Sequence, residues 1–122
     1  MKKQENKKEI KTVDANGKTL GRVSTEIAML LMGKTSAKFE RNVYSGFPVN
    51  VINASKINIT AKKLDSIVHK RYSGYRGGLR ILKGTETNEK KGMKELVKLA
   101  VFQMLPGNKI RREMMKHLKI ID

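Results

Sequence analysis

Residues 10–33, "IKTVDANGKTLGRVSTEIAMLLMG", decide the fold, because a strand, a turn and a helix follow one another there without interruption. Ile10 to Ala15 is a short extended run, and Asn16-Gly17 is a turn signal. From Thr19 to Met32 the apolar period becomes helical: Leu20, Val23, Ile27, Leu30 and Leu31 fall within about 100° of arc, which defines one buried face. Thr19 is placed to cap this helix and Gly33 to end it.

The same stretch holds Gly17-Lys18-Thr19, and Gly33-Lys34-Thr35 closes it; both repeat the end of the phosphate loop G-x-x-x-x-G-K-[ST]. That loop needs its first glycine so that the turn can aim several backbone N–H groups at a phosphate. Thr12 and Ala28 stand at the two positions where it would fall. A nucleotide cofactor is therefore not expected.

Beyond Gly33, "KTSAKFERNVYSGF" (34–47) reads as a basic loop, and Pro48 to Ala54 as a second strand with Val49, Val51 and Ile52 apolar. Another extended segment is expected over Ser66 to Arg71, followed by the glycine-rich loop "RYSGYRGGLR" (71–80). Helical spacing returns from about Thr87 to Met104. Met93, Leu96, Val97, Ala100, Val101 and Met104 lie on one side, and Leu99 and Phe102 widen the stripe enough to predict cover on two sides. Pro106-Gly107 ends this helix. A final helix, about Asn108 to His117, puts Ile110, Met114 and Leu118 on one face and Lys109, Arg112, Lys116 and Lys119 within about 80° on another. "LKIID" closes as a last strand. Strands alternating with helices predict an α/β domain with a largely parallel sheet covered on both faces. Residues 1–9 read as a basic arm and residues 10–122 as one domain.

Charge points to the partner. Of 122 residues, 27 are Lys or Arg and 11 are Asp or Glu, a net charge of +16 that repels itself unless a polyanion compensates it. Nucleic acid is the leading candidate. A membrane is not: there is no Trp and no Cys, and the longest apolar run, Ile27 to Met32, is far short of the ~20 residues a span needs. The first eleven residues, "MKKQENKKEIK", lack the apolar stretch of a secretory signal, and with zero Cys the chain is expected in the cytosol.

Enzyme chemistry is not expected. His69 and His117 lie far apart, no Cys is present, and the acids are scattered, several of them in helices beside basic partners. Methionines at helical spacing are core fillers. The segment His69 to Lys83, "HKRYSGYRGGLRILK", stands out instead. It combines Lys70, Arg71, Arg76, Arg80 and Lys83, no acid, the rings of Tyr72 and Tyr75, and three glycines, Gly74, Gly77 and Gly78, that let backbone amides approach a phosphate. Basic groups spread over the whole chain, rather than on one recognition helix, suit a large folded RNA better than a DNA groove.

Four blocks together resemble a known family, the universal large-subunit ribosomal protein thirteen in its bacterial form. They are "VDANGKTLGRVSTEIAMLLMGK" (13–34), "VNVINASKINITAKKL" (49–64), "YSGYRGGL" (72–79) and "AVFQMLPGNKIRREMMKHLKI" (100–120). The resemblance implies a three-layer α/β/α domain with a small, mostly parallel four-stranded sheet. It also implies a structural, cytoplasmic component of the large ribosomal subunit that binds large-subunit rRNA, acts early in assembly and touches neighbouring large-subunit proteins. Some bacterial members also bind their own messenger RNA, which makes that RNA a second candidate ligand.

Several positions depart from the family pattern. Lys11 and Thr12 replace an aromatic pair, "YSGF" (44–47) replaces an acidic segment, and Gln103 stands where Gly or Lys is common. Tyr72 and Arg76 replace a histidine and a proline of the glycine loop. The chain ends at Asp122, where many relatives continue into a tail, so whatever that tail touches is expected to be left bare or met by another segment. The expected rRNA contacts are Lys18, Arg22 and Lys34 around the first helix, Lys62 and Lys63 of "TAKK", and the cations, tyrosines and glycines of segment 70–83 just named. Lys109, Arg111, Arg112 and Lys116 near the last helix complete the set. No cofactor or metal is expected.

Overall fold

The computed structural model describes residues 9–122. The basic arm expected over 1–9 therefore lies, apart from Glu9, outside the described residues. The first strand, β1 (Lys11–Asp14), leads through the Asn16-Gly17 turn into helix α1 (Leu20–Met32), as the opening stretch predicts. Lys18 N–H donates to the Ala15 carbonyl at 3.3 Å across that turn, with Gly17 at φ +69. Thr19 occupies the cap position with extended backbone, but its side chain makes no capping hydrogen bond. Instead its backbone bridges in parallel to Asn58, and Val23 N–H closes the first helical turn onto Thr19 O at 3.1 Å. Gly33 ends α1 in the left-handed conformation, with its N–H shared between Leu30 O and Met29 O.

After the loop comes β2 (Val49–Ile52), then a single 3-10 turn (Ala54–Lys56) and a short helix, α2 (Ala61–Ser66). Sequence periodicity leaves α2 unmarked because six residues hold too few apolar positions to show a period. Thr60 caps it, its Oγ1 accepting from Lys63 N–H at 3.3 Å. Then follow β3 (Val68–Tyr72), β4 (Leu79–Lys83), α3 (Gly84–Lys91), α4 (Met93–Met104), α5 (Arg111–Lys116) and β5 (Leu118–Ile120).

Among the described residues, five strands form two sheets. β1, β2 and β5 make a parallel sheet in that order, with Val13 opposite Val51 and Val51 opposite Ile120. β3 and β4 form a separate antiparallel pair. The strand expected over Ser66 to Arg71 thus exists, shifted to Val68–Tyr72, but it pairs with β4 rather than joining the parallel sheet. The expected loop "RYSGYRGGLR" is the tip of this hairpin and parts of its two strands. Closely spaced Lys and Arg mask the strand period there.

Burial in the parallel sheet is one-sided. Val13, Val49 and Val51 face the core with the half-buried Leu118 and Ile120, whereas Thr12, Asp14 and Lys119 on the opposite face are exposed and Asn50 and Ile52 half-buried. Parallel sheets normally have both faces covered. The mixed α/β class is as expected; equal helical cover on both faces is not what this burial pattern describes.

The core joins the inner sheet face to α1 and α4. Val23, Ile27 and Leu31 of α1 meet Val97 and Val101 of α4, and Met114 of α5 closes one end. Ser24 and Ala28 are also buried, small enough for α4 to approach α1 closely. The single helix expected over Thr87 to Met104 is two helices, divided at Gly92, whose φ of +77 and ψ of −179 no helix contains. Its second side is covered in part: α3 packs on α4 and Leu99 is half-buried, whereas Phe102 and Met104 remain exposed. The last helix is shorter than expected, but Ile110, Met114 and Leu118 do line its inner side.

The departures from the family pattern have local packing roles. Lys11 Nζ sits 5.5 Å from the centroid of the Phe47 ring, so two of the unusual positions meet. Tyr44 stacks on His117 with centroids 5.0 Å apart, and burial, followed by the nearby Glu113 carboxylate, raises its hydroxyl pKa.

Candidate nucleic-acid interface

The hairpin carries most of the expected contacts. Its tip is a tight turn in which Gly78 N–H donates to Tyr75 O at 3.0 Å and Gly77, at φ +71, takes the third position. A type II turn demands that positive φ, which a side chain with Cβ adopts at a cost. The glycines therefore shape the tip, and the tip presents Tyr75 and Arg76 to solvent. Below it, register places Arg71 opposite Arg80, Lys70 opposite Ile81, Tyr72 opposite Leu79 and Val68 opposite Lys83. All the cations of this ribbon are exposed, and it contains no acid.

One face of the ribbon turns toward the body. His69 and Leu82 on it are half-buried, and Gln103 Nε2 lies 3.3 Å from His69 Nδ1, linking β3 to α4. Between ribbon and helix lies a cleft of about 440 Å³, lined by Arg71, Glu95, Lys98, Phe102 and Gln103 among others. Lys90 and Lys91 of α3 line an adjoining depression with Arg71. Lys90, Lys91 and Lys98 are not singled out by the sequence. Only the docking of the ribbon against α3 and α4 makes them neighbours of Arg71; the adjacent Lys90-Lys91 pair is the one available signal.

The remaining expected contacts separate into two groups. Thr19, Leu20 and Gly21 at the start of α1 share a shallow depression with Asn58, Ile59, Thr60 and Lys63; Lys63 lines it, and Lys18, Arg22 and Lys62 are exposed next in sequence to its lining residues. Lys18 is already engaged there, its Nζ 2.9 Å from Glu26 Oε2. Lys34 lies at the other end of α1, about 20 Å away for a 13-residue helix, lining a depression with Arg41, Pro106 and Asn108. Lys109, Arg112 and Lys116 are exposed along the segment that follows.

Arg111 differs from the others. Its Nε donates to Pro106 O at 3.1 Å, its Nη2 to Leu105 O at 2.9 Å, and its guanidinium lies 4.4 Å from the Phe102 centroid. Two of its three nitrogens are thus engaged in holding the Pro106-Gly107 turn against α4.

Among the described residues, no group of three or more His, Cys, Asp or Glu could hold a metal, and no helix is long and apolar enough to cross a membrane. Fold and charge thus define a small, strongly basic α/β domain with an acid-free β ribbon on its flank. Its kinship is specific: the family model for ribosomal protein L13 matches residues 8–122, and the chain belongs to that family. It is 44% identical over 119 residues to the large ribosomal subunit protein uL13 of Syntrophotalea carbinolica, covering 98% of this chain and 83% of that one. The uL13 of Thermotoga petrophila is 46% identical over 108 residues (88% and 72%), and that of Thermosipho africanus 42% over 120 residues (98% and 80%). The chain is accordingly a large-subunit ribosomal protein, a structural class rather than an enzyme class.

Proposed function

We propose that this protein binds large-subunit rRNA in the cytoplasmic ribosome and helps the subunit assemble, by holding separate RNA segments against one rigid α/β body. The observation that carries the reading is the β3–β4 ribbon, in which five exposed cations and two exposed tyrosines occur with no acid among them. Arg71, Arg76 and Arg80 supply forked contacts to phosphate, Lys70 and Lys83 compact counter-charges, and Tyr72 and Tyr75 rings that stack on bases or ribose. Gly74, Gly77 and Gly78 keep the tip narrow enough for its backbone to approach RNA closely. The cations at the two ends of α1 give two further anchors. Because these groups are about 20 Å apart, they suit different RNA segments better than one continuous strand. Neighbouring large-subunit proteins are the natural further partners.

The test is sedimentation of a cell lysate through a sucrose gradient with detection of this protein. One copy per large subunit and presence in early precursor particles are expected. A peak confined to the ribosome-free top would overturn the proposal, as would appearance only in finished subunits for its assembly part.

A further inference from the structure

One face of the ribbon mixes four exposed apolar side chains with two lysines. Val68, Tyr72, Leu79 and Ile81 are 44, 67, 57 and 52% exposed. Paired residues of an antiparallel ribbon project to the same side, and successive pairs alternate. Register therefore gathers the pairs Val68 with Lys83, Lys70 with Ile81, and Tyr72 with Leu79 on one face, while His69, Arg71, Arg80 and Leu82 share the other. The second face is the one tied to α4 through His69 and Gln103. At its base the first face borders the cleft against α4, which Val68 and Lys70 help to line; toward the tip, Tyr72, Leu79 and Ile81 are the most exposed of its apolar side chains. Isolated exposed apolar side chains are ordinary on protein surfaces; four on one face of a two-stranded ribbon mark a contact surface.

We propose that this face seats on the minor groove of an RNA duplex, an inference that rests on the rRNA-binding reading above. Charge selects the occupant: Lys83 ends the face on β4, Lys70 stands in its middle row on β3 opposite Ile81, and no acid occurs from Val68 to Lys83. A partner must therefore set anionic groups beside apolar ones. The A-form minor groove has that character, being wide and shallow, bordered by phosphates and floored by sugars whose C–H faces accept aliphatic contact and whose 2′-hydroxyls can meet the Tyr72 hydroxyl. A ribbon of two strands about 4.8 Å apart is thin enough to lie along it. Unpaired RNA fits less well, because splayed bases need flat stacking platforms and this face offers a single ring among three aliphatic side chains.

The experiment compares the full chain with a Leu79→Ser/Ile81→Ser variant, which keeps every charge, and with Arg71→Ala/Arg80→Ala. Each is titrated onto a transcript of the organism's large-subunit rRNA over a range of salt, with hydroxyl-radical footprinting of the riboses. Replacing the apolar side chains should weaken binding about tenfold at every salt concentration and leave the salt slope unchanged, whereas removing the arginines should lower the slope. The serine variant should also lose protection at sugars of paired nucleotides. Unchanged affinity, a reduced slope, or loss of protection confined to unpaired nucleotides would overturn the inference. So would normal transcript binding with failed incorporation into subunits, since that result assigns the face to a neighbouring protein. If the serine variant does not melt like the parent, Tyr72→Ser gives the same comparison from an exposed position. Failure of the parent chain to bind the transcript overturns the rRNA reading itself; parent binding with an unaffected variant overturns only the minor-groove assignment.

Discussion

Arg71 and Arg80 stand directly opposite one another across the β3–β4 ribbon, so two permanent cations share one face of a two-stranded sheet. Like charges in directly opposed positions destabilise a strand pair. Nothing within the ribbon offsets them, since it contains no acid. An anion held between them would remove that repulsion.

From this pair follows a first prediction. Arg71→Ala/Arg80→Ala should leave the thermal melt of the free protein unchanged or slightly raised, while the slope of log affinity against log salt falls by about one unit for each phosphate that is no longer neutralised. In cells, the triple change Arg71, Arg76 and Arg80 to alanine should impair large-subunit incorporation more than the same change at Lys2, Lys3 and Lys7. Equal incorporation would show that the ribbon is not the main RNA-binding element.

Arg111 should behave in the opposite way, because its fork is already bound to Leu105 O and Pro106 O and its plane covers Phe102. Arg111→Ala is expected to destabilise the fold by about 1–2 kcal/mol, since it removes charge-assisted hydrogen bonds and the cover over the ring. Lysine should rescue little of it, having no planar fork. Chemical denaturation measures the change. A variant as stable as the parent but weaker toward RNA would reassign Arg111 to the interface.

Ser24 lies in the α1–α4 seam, fully buried, and its hydroxyl has no hydrogen-bond partner among the described residues. A buried hydroxyl without a partner carries a desolvation penalty, so Ser24→Ala should be neutral or stabilising by up to about 1 kcal/mol. Ile27→Ala, one turn along the same face, should instead cost about 2–5 kcal/mol by opening a cavity. Paired urea melts would show the contrast; a destabilised Ser24→Ala would mean that the hydroxyl is satisfied after all.

Asp14 sets the pH dependence of the strand ends. Hydrogen bonds from the Asn53 side chain and the Asn16 N–H, with Lys18 and Lys56 nearby, hold its carboxyl below the ordinary carboxylate value. A group whose pKa is depressed by folding stabilises the fold above its unfolded pKa and loses that contribution as pH falls through the folded one. Asp14→Asn keeps the shape but removes the charge. Its melting temperature should lie below the parent's by a constant amount from about pH 5 to 8, with the gap closing in more acidic solution. A gap independent of pH down to strongly acidic conditions would assign the effect to shape rather than charge.

The sequence by itself determined the elements whose pattern is local. In α1 the apolar positions recur at helical spacing and Gly33 terminates them, and in β2 a short apolar run follows Gly46 and Pro48; these are consequences of backbone geometry within a dozen residues. Charge composition likewise needed no coordinates. What only the tertiary structure decided is how distant segments share a surface. The third strand carries too many cations to show a period of two, so its pairing with β4, and with it the opposition of Arg71 to Arg80, came from register alone. Gly92 breaks a helix that apolar spacing would have continued, since spacing is blind to a positive φ. Arg111 resembles its basic neighbours until the Pro106-Gly107 turn brings two carbonyls within reach of its fork. In each case the deciding interaction joins groups whose relation depends on chain direction and packing, which the order of residues does not display.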